Sequence, residues 1–235
     1  CYFRSRRSAS QRDRRASVRK GELVLELASY LESKGVGFPT SSLRYFADQI
    51  PRSNANSPIE DGSDLGYVEQ VAEALRRYWG LGYGPIPNLI HRLEAHGVFV
   101  FVLDSEYQDV DAFSVWTGER GCVFVAQNKS ATRARFDAAH ELGHLVLHDE
   151  AEPASGVVER QADRFASAFL APRPTFEQVC PNAYRYDSFL KLKKQWGMSV
   201  AALVHRAYDI GKLSESAYRR AYTDLSRRGF RVKEP

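Results

Sequence analysis

Residues 133–148 read RARFDAAHELGHLVLH. Within them, His140-Glu141-Leu142-Gly143-His144 sets two histidines four residues apart. On a helix that spacing puts both imidazoles on one face, one turn apart. Two imidazoles so placed can ligate one zinc ion with Zn–N bonds of about 2.0–2.1 Å. Glu141, beside the first histidine, can then act on a water at the ion as general base. Six His and sixteen Glu in 235 residues would give this pattern by chance about 0.01 times. Gly143 costs about 1 kcal/mol against Ala in mid-helix, so a close contact is expected at that point.

A zinc site of this kind needs a third protein ligand and leaves the fourth position to water. His148 continues the four-residue series, but eight residues of helix carry it about 12 Å along the axis from His140. The longer HExxHxxGxxH pattern is not met either, since position 147 is Leu and position 150 is Glu. His148 therefore reads as a C-terminal helix residue favoured by the helix dipole. The run Glu159-Arg160-Gln161-Ala162-Asp163 offers two acids at i and i+4. Val158, Ala162, Phe165 and Phe169 form its apolar stripe, and Ala162 and Ala166 are small enough for close approach. The segment Asp149–Gly156 (DEAEPASG) can return the chain antiparallel to the first helix. Glu159 is then the candidate third ligand. Asp163 is the candidate acceptor for a ligand histidine's other ring nitrogen. A solvated acidic face, or ion pairs with Arg160 or Arg164, is the alternative for the same residues, and Glu150 and Glu152 are rival ligands.

The rest of the chain supplies the setting. Gly21–Ser33 has helical periodicity, with Leu23, Leu27, Tyr30 and Leu31 on one side. Residues 35–62 are rich in Gly, Pro, Ser and Asn and read as a linker or loop. Helices are predicted from Ser63 to about Trp79 and from Asn88 to His96, the second ended by Gly97. Val98–Leu103, Ala112–Trp116 and Cys122–Ala126 read as strands, and their short spacing suggests antiparallel pairing. Helices follow at roughly 131–148, 157–170, 185–195, 199–210 and 214–228. The fold class is α+β, with a small antiparallel sheet covering the active-site helix. The division expected is a basic arm, helix and linker over 1–62, a core that carries the two-histidine metal site over 63–180, and a C-terminal helical region over 181–235. Met198–Arg220 resembles two helices around a Gly211 turn, either a helix-turn-helix-like module or ordinary packing.

Hydrophobic residues at 43% and charged residues at 26% exclude a mostly disordered chain. No apolar run reaches the roughly 20 residues of a membrane span. Residues 1–20 hold eight Lys/Arg and one acid, so +7 of charge sits in one arm and the remainder sums to −3 against the total of +4. Such an arm can touch nucleic acid, although no aromatics interleave it for base stacking; a solvated helical lead-in is the plainer reading. The chain begins with Cys1 rather than Met, so a preceding segment is expected. Cys1, Cys122 and Cys180 are odd in number and widely spaced, which argues against a disulfide framework and for a reducing cytoplasm. Cys122 lies mid-strand, a poor place for a nucleophile.

RFDAAHELGHLVLH followed by ERQADRFASAFLAP resembles the ImmA/IrrE family of zinc metallopeptidases. That family has an RF-x-x-AHELGH-x-x-x-H helix and then an E-x-x-A-N/D-x-FA-x-x-x-L-x-P helix. The matching stretch runs from about Ile86 to Pro172, with Asp163 where Asn is commoner. The resemblance implies a zincin fold, Zn2+ held by His140, His144 and Glu159, and cleavage of a helix-turn-helix repressor of a phage, mobile element or stress regulon. It also implies that a DNA-binding domain can precede the peptidase. Tyr184, Tyr186, His205 and Arg173 are each able to stabilise an oxyanion, and the sequence does not choose among them; His205 reads more readily as structural. The alternative function is a non-catalytic sensor on the same scaffold, coupled to a DNA-binding domain. An intact Glu141 favours the enzyme, because a binding module needs no general base.

Overall fold

The computed structural model describes residues 2–5, 11–50, 63–103, 110–127, 129–148 and 155–230. The element order is β1 (Tyr2–Ser5), α1 (Gln11–Ser33), α2 (Leu43–Gln49), α3 (Ser63–Tyr78), α4 (Leu89–Ala95), β2 (Phe99–Leu103), β3 (Val110–Thr117) and β4 (Arg120–Ala126). Six helices follow: α5 (Ala131–Leu147), α6 (Gly156–Leu170), α7 (Arg173–Val179), α8 (Tyr186–Trp196), α9 (Val200–Asp209) and α10 (Glu215–Arg227). The α+β class expected from the sequence is the one observed. Among the described residues no helix is long and apolar enough to cross a membrane.

The sheet order is β1-β3-β4-β2. β3 and β4 form the expected antiparallel hairpin, turning at Gly118 with φ +56°. β2, however, pairs with β4 in parallel, Phe99 opposite Cys122 and Leu103 opposite Ala126. The expectation of a wholly antiparallel sheet is therefore corrected: the sheet is mixed. Short spacing did make the three strands alternate in direction. It did not make β2 and β3 neighbours, because β4 lies between them. Ala112–Trp116 lies within β3, between β1 and β4. β1 covers its outer side, so β3 is internal.

Strand alternation sorts the sheet's two faces. Ala112, Val123 and Val125 join Ala138, Ala139, Leu142 and Val146 of α5 in the main core. Phe113, Cys122 and Phe124 face the other way, into a smaller cluster with Leu103, against which Leu25 of α1 packs. Phe113 and Phe124 stack there with ring centroids 4.4 Å apart. The main core runs on without a break through α3, α6, α8 and α9 to Ala221 and Leu225 of α10.

Two short helices escaped the sequence reading. α2 lies inside the segment 35–62 taken as a linker, and it buries Leu43, Phe46 and Ala47. α7 starts behind Pro172 and buries Phe176. Neither is long enough to show a repeating period. Residues 51–62, the rest of that segment, lie outside the described residues. Of the basic arm, β1 and the start of α1 are described.

Charged groups tie α3, α6 and α9 together. Glu69 of α3 accepts from Arg206 Nη1 at 2.6 Å and Nη2 at 3.2 Å, and from Arg164 Nη1 at 3.0 Å. Burial alone would raise the Glu69 carboxyl, but the Arg206 hydrogen bond and the charges of Arg206 and Arg164 hold it below its ordinary value. Arg164 also meets Asp209 at 3.1 Å, and Asp209 meets His205 Nδ1 at 3.1 Å. The Asp209 hydrogen bond raises the His205 pKa above 6.5, against an opposing contribution from burial.

Among the described residues α5 and α6 share the most extensive helix contact. A Cβ on Gly143 would stand 3.0 Å from Phe165 Cδ1 and 3.1 Å from its Cβ. Gly143→Ala should therefore lose up to about 2 kcal/mol in urea unfolding, overpacking of about 1–3 kcal/mol being offset in part by the propensity gain of about 1 kcal/mol. Higher stability would show that the two helices have room to part. His205 gives a pH dependence. A folded-state pKa above the unfolded value adds stability that is complete below about 6.5 and is lost as pH rises through the folded value. The stability difference between the native chain and His205→Ala should thus be larger at pH 5.5 than at pH 9; equal differences would contradict the pairing with Asp209.

Candidate metal centre and active site

The site is built on the two helices that Gly143 lets come together. Ser130 caps α5 by accepting from Arg133 N–H, and Ser155 caps α6 by accepting from Val158 N–H at 3.3 Å. Each cap satisfies a backbone donor that the first turn leaves without a helical partner. Lys129 Nζ donates to the buried Asp137 carboxylate at 2.9 Å, which fixes α5 one turn ahead of His140. From Asp137 to Leu147 every residue of α5 is buried.

His140 Nε2 and His144 Nε2 face each other at 3.0 Å. Glu159 of α6 closes the triangle, with Oε2 3.4 Å from His140 Nε2 and Oε1 3.6 Å from His144 Nε2. A tetrahedral ion with bonds of about 2.0–2.2 Å spaces its ligand atoms about 3.3–3.5 Å apart. The two Glu159 distances come close to that spacing, and the two imidazole nitrogens, at 3.0 Å, have only to part by a few tenths of an ångström for one such ion to be shared.

The outer sides of both rings are occupied. His140 Nδ1 lies 2.8 Å from Asp163 Oδ1, so it carries the proton and donates it. His144 Nδ1 lies 3.0 Å from His148 Nδ1, and His148 Nε2 lies 2.9 Å from Gln161 Oε1. With the Gln161 amide oxygen accepting, His148 is protonated at Nε2 and bare at Nδ1. His144 then donates from Nδ1. Both chains of hydrogen bonds leave the Nε2 lone pairs turned inward, toward each other and toward a carboxylate. Two lone pairs at that distance repel unless a cation stands between them, so the donor set fits a metal. Imidazole with carboxylate suits zinc among other divalent metals.

Glu141 lies on the same turn. Its carboxylate and the two imidazoles offer atoms all within 4.8 Å of one another. It is fully buried, and Ser114 Oγ on β3 donates to its Oε2 at 2.8 Å. The sheet thus anchors one carboxylate oxygen of the residue read as the base.

Of the residues singled out from sequence, the structure brings together His140, Glu141, His144, Glu159 and Asp163. Glu150 and Glu152 lie outside the described residues. His148 leaves the helix as its C-cap and supports His144, a closer involvement than a dipole contact. Tyr184 donates to Asp224 at 2.9 Å, Tyr186 stacks on Phe230 and Arg173 pairs with Glu177 at 3.4 Å. His205 shares a pocket with Asp163, a recess of about 290 Å³ that Phe136 and Arg164 also line. Ser114 and Gln161 were missed. A serine on the otherwise apolar face of Ala112-Phe113-Ser114-Val115-Trp116 was the available signal for the first. Gln161, between Glu159 and Asp163, had none by itself. Burial pushes the Cys122 thiol up to about 11, in keeping with its reading as unreactive.

No curated protein matches the chain. Residues 93–208 match the family model of the IrrE N-terminal-like domain, Peptidase_M78. The match spans β3, α5 and α6, and with them Ser114, His140, Glu141, His144, His148, Glu159, Gln161 and Asp163. This agrees with the resemblance drawn from the two helix motifs, and the stretch 93–208 belongs to that family of metallopeptidases.

Proposed function

We propose that the chain is a zinc-dependent endopeptidase, with His140, His144 and Glu159 as ligands and Glu141 as general base. The observation that carries this reading is the triangle of donors at 3.0, 3.4 and 3.6 Å beside an anchored carboxylate. Zinc, when bound, supplies a Lewis acid that polarises a carbonyl and brings the pKa of a ligated water near 7. Asp163 holds His140 in the Nδ1–H tautomer, and His148 with Gln161 holds His144 in the same form. Ser114 fixes Glu141 by Oε2, which leaves Oε1 to take the proton of the attacking water. That water's oxygen forms the new C–O bond, the C–N bond breaks, and Glu141 returns the proton to the leaving amine. The substrate is a protein. By the family resemblance, it is a helix-turn-helix transcriptional repressor.

Co-expression with repressors encoded beside the gene tests the substrate assignment; an intact repressor in every such pairing would remove it. Glu141→Gln should keep one zinc per chain while slowing cleavage by about 10²–10⁴-fold. Unimpaired cleavage by that variant would defeat the enzyme reading in favour of a sensor. Glu159→Gln should lower zinc content in elemental analysis, and full retention would place the third ligand elsewhere. Gln161→Ala acts one hydrogen bond further out, and it should weaken zinc affinity by about 10–100-fold. Unaltered affinity would show that the His144–His148 chain does not tune the metal.

A further inference from the structure

β1 lies antiparallel along the outer edge of β3. Tyr2 stands opposite Ser114, Phe3 opposite Phe113 and Arg4 opposite Ala112, and the register shifts between Arg4 and Ser5. Ser114 is the residue whose hydroxyl holds Glu141. Opposed residues of an antiparallel ladder have Cα atoms about 4.5–5.5 Å apart. The main chain at Tyr2 therefore runs one strand spacing from the anchor of the base. Exposure agrees with this placement. Glu141 is fully buried on the sheet side, whereas the Glu159 and Asp163 side chains on α6 are 35% and 49% exposed.

A polypeptide held as an extended strand takes its main-chain hydrogen bonds from a sheet edge. β4 uses the inner edge of β3 over six residue pairs. Only the outer edge remains, and it carries β1. We infer that this outer edge is a peptide-docking edge, and that its resting occupant is the chain's own segment Tyr2–Ser5, which withholds it from other polypeptides. The geometry stands without the peptidase reading; only its consequence, restraint of cleavage, rests on that reading. The described pairing covers four residues, and its register shifts between Arg4 and Ser5, so this ladder offers few main-chain bonds. Being tethered, the occupant competes at an effective concentration on the order of millimolar. A longer strand with more pairs can displace it, and an incidental peptide cannot. Because the contact is main chain to main chain, the edge selects for an extended conformation ahead of side-chain identity.

The test uses the full zinc-loaded chain and a Phe3→Pro/Arg4→Pro double variant. Alternate residues of a strand face alternate edges, so one of the two prolines removes an N–H directed at β3 whichever way the ladder alternates. Amide exchange of residues 112–116 is followed by NMR. Binding of a fluorescein-labelled peptide with the sequence of residues 2–8 is followed by anisotropy. The inference expects outward-facing β3 amides to exchange at least about tenfold faster in the variant, with those facing β4 unchanged. It also expects the peptide to bind the variant at least about tenfold more tightly than the native chain. Equal exchange, or equal binding to both chains or to neither, would overturn it. Neither readout depends on turnover. A chain that shows both changes yet cleaves nothing would overturn the peptidase reading and leave the docking edge standing.

Discussion

The approach of α5 to α6 at Gly143 is the constraint on which the site depends. Phe165 lies against the bare Cα of Gly143, so the helix axes come closer than side chains would ordinarily allow. That closeness lets Glu159 on one helix stand 3.4 and 3.6 Å from two imidazole nitrogens on the other. Moving the helices apart by the width of a methyl group would separate the donors by more than the tolerance of a metal–ligand bond. The glycine's cost in helix propensity is thus part of the site's construction. Ala162 and Ala166 serve the same approach from the α6 side, and both are fully buried.

A second requirement is electrostatic. Burying two histidines and a carboxylate in one place is favourable only if each proton has an assigned position. Here the assignment is complete for both rings: Asp163 takes one Nδ1 proton, and His148 backed by Gln161 takes the other. Ser114 does the same for one oxygen of Glu141. The sheet therefore contributes more than a covering layer, since its third strand supplies the hydrogen bond that orients the carboxylate. Farther out, Glu69 joins α3 to α6 and α9 through Arg164 and Arg206, which holds α6 in place along its length.

What could be read in advance follows from the range of the interactions. The two histidines, Glu141, Glu159 and Asp163 lie within two helices, where spacing fixes the face and therefore the neighbourhood. Gly143 announced a close contact because its helical cost had to be offset by packing. Pairing across the sheet was less legible. The three apolar runs declared themselves as strands, but nothing local to Phe99–Leu103 says that Arg120–Ala126 will insert beside it. Ser114 meets Glu141 only once β3 lies over α5, a contact between residues 27 positions apart in sequence. α2 and α7 are each seven residues long, too short for a period to emerge from a segment rich in turn-forming residues. Gln161 becomes meaningful only after His148 leaves the helix as a C-cap and turns its ring back on His144.

The central claim is that α5 and α6 together present two imidazoles and one carboxylate to a single metal ion. X-ray absorption at the zinc edge on the purified full chain tests it most directly, because it reports donor type, number and distance without reference to any substrate. The account predicts a four-coordinate shell of nitrogen and oxygen only, at about 2.0–2.1 Å, with the outer-shell scattering of two imidazoles. A sulfur donor near 2.3 Å, a shell with one imidazole or three, or a chain that emerges without bound metal after reconstitution would contradict it.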